Sequence, residues 1–174
     1  MVYLNPKDFR QYLKLGDALC LQEEYKSALI AFQKAINLAP ENPEVYYHLG
    51  NAFYMLARYE DAISTYQTSL HFDYANGQVH FNLGSAFSAL KQLESAETHY
   101  KEALNLKSEN IPAYLCLGEV YCERQNYDMA EQAFREVLMI DRKNEKALIA
   151  LEHVYEKKQS NLVDNRNGYA SQKQ

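Results

Sequence analysis

The chain has 174 residues, of which 47% are hydrophobic and 24% are charged, and its formal net charge is -5. That length is enough to bury a core. The acidic balance and the lack of clustered Lys and Arg argue against a nucleic-acid or membrane partner. No stretch approaches the roughly 18 to 20 apolar residues that a bilayer span requires.

The cellular compartment is predicted from the first residues and from the cysteines. The first twenty residues carry Lys7, Asp8, Arg10 and Lys14 and contain no apolar segment typical of a secretory signal. The three cysteines are widely spaced and odd in number, which favours free thiols over a disulfide framework or a zinc motif. We therefore expect an intracellular, cytoplasmic protein.

A repeat of 34 residues runs through most of the chain. Every unit has a Leu-Gly pair, a bulky residue three places after the glycine, then an alanine and, four places later, an aromatic residue. The glycines are Gly16, Gly50, Gly84 and Gly118, and the aromatic residues are Phe32, Tyr66, Tyr100 and Phe134. We expect the small residues to let two helices approach closely, so that the aromatic ring fills the space beside the glycine.

Each unit is predicted to be a helical hairpin. In the second unit, apolar residues recur at steps of three or four, first from Tyr46 to Leu56 and again from Tyr59 to Leu70. Only Ala57-Arg58 separates the two runs, and a link that short indicates antiparallel helices. A capping residue stands at the start of each unit and of the helix that follows the fourth unit, at Asp8, Asn42, Asn76, Asn110 and Asn144.

These elements define the predicted domains. A repeat domain covers residues 1–158, with repeats at about 9–42, 43–76, 77–110 and 111–144 and a capping helix at 145–158. The capping helix presents Leu148, Leu151, Val154 and Tyr155 on one face, as the end of a repeat array needs. Residues 159–174 are rich in Asn, Gln and Ser without periodicity and are expected to form a flexible tail.

The repeating residues resemble the tetratricopeptide repeat. In that family, helix A carries a bulky residue, Leu-Gly and then an aromatic residue or Leu, and helix B carries Ala, an aromatic and a small residue before a frequent Pro. The few departures from the pattern are Tyr74, His80, Ser108, Val137 and Arg142. The resemblance implies an all-α, right-handed superhelical solenoid of antiparallel helix-turn-helix repeats that binds proteins and needs no cofactor or metal.

The resemblance also implies where a partner would bind. Helix A residues outside the packing positions line the concave groove of such a solenoid. The residues carried over to this groove, as the candidate partner-binding site, are Tyr47, His48, Asn51, Tyr54, Phe81, Asn82, Ser85 and Glu119. Aromatic side chains offer contact area at low entropy cost and asparagines pair with peptide backbone. We expect an adaptor that binds a partner peptide or helix here and supports assembly of a multiprotein complex.

Two specialised ligand sets of the family are not matched. The carboxylate clamp that grips a chaperone tail needs Lys and Arg, and the corresponding positions of this chain hold no basic residue. The asparagine ladder of O-linked N-acetylglucosamine transferases corresponds here to Lys14, His48, Asn82 and Cys116, which leaves one asparagine of four. A chaperone-like peptide binder without the clamp stays open as an alternative.

The same sequence also bears on three other classes of function: an enzyme, an RNA-binding repeat protein and a self-associating subunit. The five histidines form no H-E-x-x-H motif and the glycines form no phosphate loop, so we expect no enzyme. A helical-repeat RNA reader is disfavoured by the absence of a basic stripe. Self-association is a further alternative, since Phe9, Tyr12 and Leu13 follow only eight residues, MVYLNPKD, that could cover an N-terminal face.

Overall fold

The structure is a computed structural model that describes residues 8–107 and 109–171, with side-chain surroundings described as far as Ser160. The chain forms two compact units, Met1–Lys107 and Ser108–Gln174. Throughout the described residues all regular secondary structure is α-helical, which confirms the predicted all-α fold of helix-turn-helix repeats. Residues 1–7, on which the self-association hypothesis partly rests, lie outside the described residues.

The first unit holds three helical hairpins. Its helices are α1 (Phe9–Leu21), α2 (Tyr25–Leu38), α3 (Pro43–Met55), α4 (Tyr59–Phe72), α5 (Gly77–Ala89) and α6 (Leu93–Leu106). Each hairpin packs its two helices together, and the first helices α1, α3 and α5 also contact one another in that order. The second unit holds the hairpin of α7 (Ile111–Glu123) and α8 (Tyr127–Ile140), followed by α9 (Glu145–Ser171).

Side-chain caps begin the first helix of every repeat. Asn42 Oδ1 accepts hydrogen bonds from the backbone N–H groups of Glu44 at 3.0 Å and Val45 at 3.3 Å. Equivalent bonds are accepted by Asp8, Asn76, Asn110 and Asn144. These caps satisfy backbone donors that have no partner inside the helix, so they fix where each repeat starts.

The turn inside each hairpin is a Schellman motif. Its conformation requires one residue with positive φ, and in the second repeat this is Ala57 at 56°. Arg58 N–H donates to the carbonyl of Phe53 at 3.0 Å and Ala57 N–H to that of Tyr54 at 2.9 Å. The same conformation recurs at Glu23, Lys91 and Gln125. The link is therefore three residues long, because helix α3 ends one residue earlier than the sequence indicated.

The core of each hairpin is built around its glycine and its aromatic ring. A Cβ atom added at Gly50 would lie 2.5 Å from Tyr66 Cε1, and one at Gly84 would lie 2.8 Å from Tyr100 Cδ1. Both separations are far below a van der Waals contact. The two tyrosine rings are almost fully buried. The predicted packing role of the glycines is thus observed directly.

Helix α9 is longer than the sequence indicated. The capping helix was predicted to end at 158, but the backbone stays helical as far as Ser171. Residues 159–171 lack an apolar periodicity, yet they contain no proline that would interrupt the backbone hydrogen bonds. Just before this segment, Lys158 Nζ ties α9 to α8 through Asp128 at 2.6 Å and Glu131 at 2.8 Å. Flexibility of 159–174 stays a prediction, and 172–174 lie outside the described residues.

Candidate functional site

A pocket of about 490 Å³ opens between α3 and α5 in the first unit. Helix α4 contributes one side chain to its wall from behind. The lining residues are Asn51, Tyr54, Met55, Tyr66, Phe81, Asn82 and Ser85. A pocket of this size lies in the range used for small ligands or for anchoring side chains.

A hydrogen-bonded amide pair forms the polar wall of this pocket. Asn51 Oδ1 accepts from the hydroxyl of Tyr66 at 2.7 Å and from Asn82 Nδ2 at 2.7 Å. Asn82 Oδ1 accepts in turn from Gln78 Nε2 at 3.0 Å. Because each carbonyl oxygen is held by a neighbour, the two amides are fixed before any ligand arrives.

Tyr66 anchors this network from the core. Its side chain is only 1% exposed, and burial raises the pKa of its phenol above the ordinary value of 10.0. The hydroxyl therefore stays protonated and remains available as the donor to Asn51. The residue serves both as the packing ring beside Gly50 and as the support of the pocket wall.

The α5 side of the pocket rests on α6. The ring of Phe81 lies 5.8 Å from that of Tyr100, centroid to centroid. The Tyr100 hydroxyl donates to Ser85 Oγ at 3.2 Å, and Ser85 Oγ donates to the Phe81 carbonyl at 3.1 Å. The position of the α5 residues in the pocket therefore depends on how α5 and α6 pack together.

The pocket is uncharged, whereas the neighbouring face of the first repeat carries an acidic side chain. None of the lining side chains carries a formal charge at neutral pH. On α1, Asp17 Oδ1 lies 2.7 Å from His48 Nδ1 on α3. Burial raises the pKa of the Asp17 carboxyl, and His48 opposes that shift only in part. Tyr47 lies edge-on to the His48 ring, with centroids 5.1 Å apart.

The structure brings most of the predicted site residues together. The five that line the pocket are Asn51, Tyr54, Phe81, Asn82 and Ser85. Tyr47 packs against the apolar cluster of repeats two and three, and His48 is engaged by Asp17, so neither lines the pocket. Glu119 is exposed on α7 of the second unit.

Two pocket residues were missed by sequence reasoning. Sequence reasoning assigns Tyr66 to packing alone. However, a Tyr in place of Phe at this repeat position indicates a hydroxyl group that needs a hydrogen-bond partner. Met55 follows Tyr54 at the end of helix A and is 57% exposed. It falls outside the set of positions that the family resemblance supplies.

The described part of the chain contains neither a metal-binding cluster nor a helix able to span a membrane. No group of three or more His, Cys, Asp or Glu side chains there is arranged to hold a metal ion. Among the helices described, none has both the length and the apolar character that crossing a membrane would need.

Solved structures with the same fold are numerous. The crystal structure of the MamA protein matches with a TM-score of 0.82 and 24% identity, covering 94% of this chain and 88% of that one. YrrB, described as a TPR protein with an unusual peptide-binding site, matches with a TM-score of 0.77 and 23% identity over 89% of this chain and 80% of its own.

A third similar structure contains a bound peptide. The first TPR of Spaghetti (RPAP3), bound to the HSP90 peptide SRMEEVD, matches with a TM-score of 0.64 and 24% identity. It covers 66% of this chain and 91% of that one. At these identities the likeness establishes the fold alone.

Family comparison agrees with the repeats seen in the structure. No curated protein matches the chain. Sequence models described as TPR repeat or tetratricopeptide repeat match residues 16–56 and 84–123, 44–70, and 111–144. Together they account for about two thirds of the sequence, and two of the matched spans, 44–70 and 111–144, fall on the α3–α4 and α7–α8 hairpins. The chain belongs to the tetratricopeptide-repeat family.

Proposed function

We propose that this protein is a protein–protein interaction adaptor that binds a peptide or helix of its partner along α3 and α5 and so supports assembly of a multiprotein complex. The observation that carries the proposal is the preformed pocket, with its fixed amide pair and its aromatic walls. A wall held in place before binding loses little entropy when a ligand arrives.

The chemistry of the pocket favours an uncharged, apolar anchor side chain in the ligand. Tyr54, Met55 and Phe81 supply apolar contact area, while the N–H groups of Asn51 and Asn82 that are not used inside the network suit backbone carbonyl oxygens. A charged anchor would lose its hydration without gaining an opposite charge.

Similar structures support a peptide ligand, whereas the lining of this pocket argues against an acidic one. YrrB is described as having a peptide-binding site, and the RPAP3 repeat is bound to SRMEEVD, a peptide with three acidic side chains. The pocket described here has no basic side chain in its lining to pair with such a ligand. The partner segment proposed for this chain is therefore apolar at its anchor.

The test uses exposed methionines as a matched pair. Peptides would be selected from a random displayed library with the purified chain, and their affinities measured for wild type, Met55→Lys and Met139→Lys. Met55 is 57% exposed at the pocket, and Met139 is 76% exposed on α8. We expect Met55→Lys to weaken binding about tenfold or more and Met139→Lys to leave it unchanged.

Capture from cells gives an independent test with native partners. The purified chain would be compared with the double variant Tyr47→Ala, Asn82→Ala, after circular dichroism has established that both are folded. A partner retained by the wild type and lost by the variant supports the proposal. Equal retention of every partner, or peptides that bind Met55→Lys as well as wild type, would contradict it.

A further inference from the structure

Two histidines meet inside the α5–α6 hairpin, in the repeat that supplies half of the pocket. His80 Nδ1 on α5 lies 3.2 Å from His99 Nδ1 on α6, and the side chain of His80 is 1% exposed. His80 occupies a position where the family pattern has a bulky residue, so an ionisable ring replaces part of the packing at this point.

The hydrogen-bond partners define where the protons are. His80 Nε2 lies 3.1 Å from the backbone carbonyl of Tyr74, which only accepts, so this nitrogen carries a hydrogen. In the neutral ring His80 Nδ1 is then an acceptor, and His99 Nδ1 must donate to it. With both rings neutral, every nitrogen of the contact therefore has a complementary partner.

The contact accepts one additional proton but not two. A first proton on His99 Nε2 leaves both hydrogen bonds in place, although it creates a charge in a crowded site. A second proton would have to bind His80 Nδ1, and two N–H groups would then face each other at 3.2 Å. Double protonation therefore breaks the contact between α5 and α6.

The surroundings disfavour even the first proton. The His99 ring is stacked between Phe87, at 5.4 Å and nearly parallel, and His80, at 5.5 Å. Burial lowers the pKa of His99 below its ordinary value of 6.5, the nearby His80 lowers it further, and Glu102 on the same helix opposes the shift. Tyr74, whose ring lies 5.0 Å from that of His80, is a further titratable side chain at the pair.

The sign of the pH dependence follows from that direction. A folded state with a lowered histidine pKa holds fewer protons than the unfolded chain, which titrates at its ordinary value. The stabilising contribution of neutral His99 is therefore complete above about pH 6.5 and is lost as the pH falls towards the folded pKa.

The same two helices position the α5 side of the pocket. Phe81 follows His80 in the chain and Tyr100 follows His99, and the rings of Phe81 and Tyr100 pack together at 5.8 Å. The Tyr100 hydroxyl also donates to Ser85. Any loosening of α5 against α6 therefore moves residues that line the pocket.

We infer that the His80–His99 pair makes the α5–α6 hairpin acid-sensitive and that double protonation of the pair releases the α5 wall of the pocket, so that ligand binding weakens as the pH falls. The effect on binding rests on the proposed function. The acid sensitivity of the hairpin does not, and the two parts are tested separately.

The first experiment needs neither a ligand nor a variant. The ring protons of all five histidines would be followed by NMR in the full chain between about pH 7.5 and 5. We expect the His99 ring to titrate below the ordinary histidine pKa of 6.5. Titration of His99 at or above that value would overturn the inference.

The second experiment measures stability against pH with a matched pair of variants. His99→Asn keeps a nitrogen donor at the δ position but cannot be protonated, and His153→Asn makes the same change at a site that is 59% exposed. Between about pH 6.5 and 5, each extra proton bound by the unfolded chain raises the unfolding equilibrium constant by up to about tenfold for every unit by which the pH falls. We expect that rise in wild type and His153→Asn and its loss in His99→Asn.

A readout at the pocket completes the test. Hydrogen-exchange protection of the backbone amides from Phe81 to Ser85 should fall with pH in wild type and stay constant in His99→Asn. Peptides selected with the chain should bind wild type several-fold more weakly at about pH 5.5 than at 7.5, with no such change in His99→Asn. An equal pH slope in wild type and His99→Asn would refute the acid-sensitive hairpin. An acid-sensitive hairpin with pH-independent binding would refute its control of the pocket.

Discussion

The first repeat and the two that follow it share one packing geometry but differ in one hydroxyl group. In each of them a glycine on the first helix faces an aromatic ring on the second. The ring is Phe32 in the first repeat, whereas Tyr66 and Tyr100 in the next two carry hydroxyl groups that bond Asn51 and Ser85. The ring maintains the hairpin, and the hydroxyl group links the core to the surface of the pocket.

The residue on the surface differs in the same way. Asp17, Asn51 and Ser85 are 34 residues apart and occupy equivalent positions of α1, α3 and α5. Asp17 has no hydroxyl behind it and pairs with His48 on the neighbouring helix. The pocket therefore lies where a core tyrosine supports a neutral polar residue, and the first repeat presents a carboxyl group paired with a histidine instead.

The largest effect is expected where the shared geometry is broken. Gly84→Leu would place a Cβ atom 2.8 Å from Tyr100 Cδ1 and 3.3 Å from the carbonyl oxygen of Ala96. Overpacking a core typically costs about 1–3 kcal/mol, and we expect the free energy of unfolding to fall by at least that much. Urea unfolding followed by circular dichroism measures the change.

A second glycine of the same helix is the control. At Gly77, the first residue of α5, the atom nearest to an added Cβ would be Leu106 Cβ at 3.3 Å, a longer separation than the 2.8 Å at Gly84. Gly77→Ala should therefore cost far less than Gly84→Leu. Equal unfolding midpoints for Gly84→Leu and wild type would show that the ring is not packed against the glycine.

The same contrast explains why the fold was easier to predict from the sequence than the site. The fold was predictable because glycine, alanine and the aromatic residue repeat at fixed spacing, and because Asn42 and its equivalents are caps whose geometry is local. A constraint that repeats four times leaves a periodic pattern, and local hydrogen bonds such as those of Asn42 depend on residues two or three places away.

The site was predictable only in part, since its hydrogen bonds are neither periodic nor local. The bond from Asn82 to Asn51 joins residues 31 places apart, and that from Tyr66 to Asn51 spans 15. The family resemblance grouped both asparagines with the groove residues, and both line the pocket, but it assigned Tyr66 to packing alone. Likewise His80 was recognised as a departure from the pattern, while its partner His99 depends on side-chain packing that spacing does not reveal.

A smaller effect is expected when only the differing hydroxyl is removed. Tyr66→Phe keeps the ring beside Gly50 but removes the donor at 2.7 Å from Asn51 Oδ1. We expect a loss of about 1 kcal/mol in the free energy of unfolding, as for one buried hydrogen bond, because Asn82 still donates to the same oxygen. Tyr100→Phe should cost less, since its bond to Ser85 is longer at 3.2 Å. A larger loss for Tyr100→Phe would reverse this ranking.

The smallest effect, and the only one expected to stabilise, concerns a turn that all the repeats share although its residue differs. Ala57 adopts φ of 56°, where a Cβ atom is unfavourable and glycine is not. Replacing it by glycine removes that strain but adds freedom to the unfolded chain, so Ala57→Gly should raise the free energy of unfolding by about 0.5 kcal/mol. Ala18→Gly makes the same change at an exposed position inside α1 and should lower it by about 1 kcal/mol. The turn has the same geometry in all four repeats. Opposite signs for these two variants would establish that packing of the helices imposes the positive φ on Ala57, although alanine itself disfavours that conformation. If Ala57→Gly instead lowered the free energy of unfolding, the alanine side chain itself would be stabilising the turn.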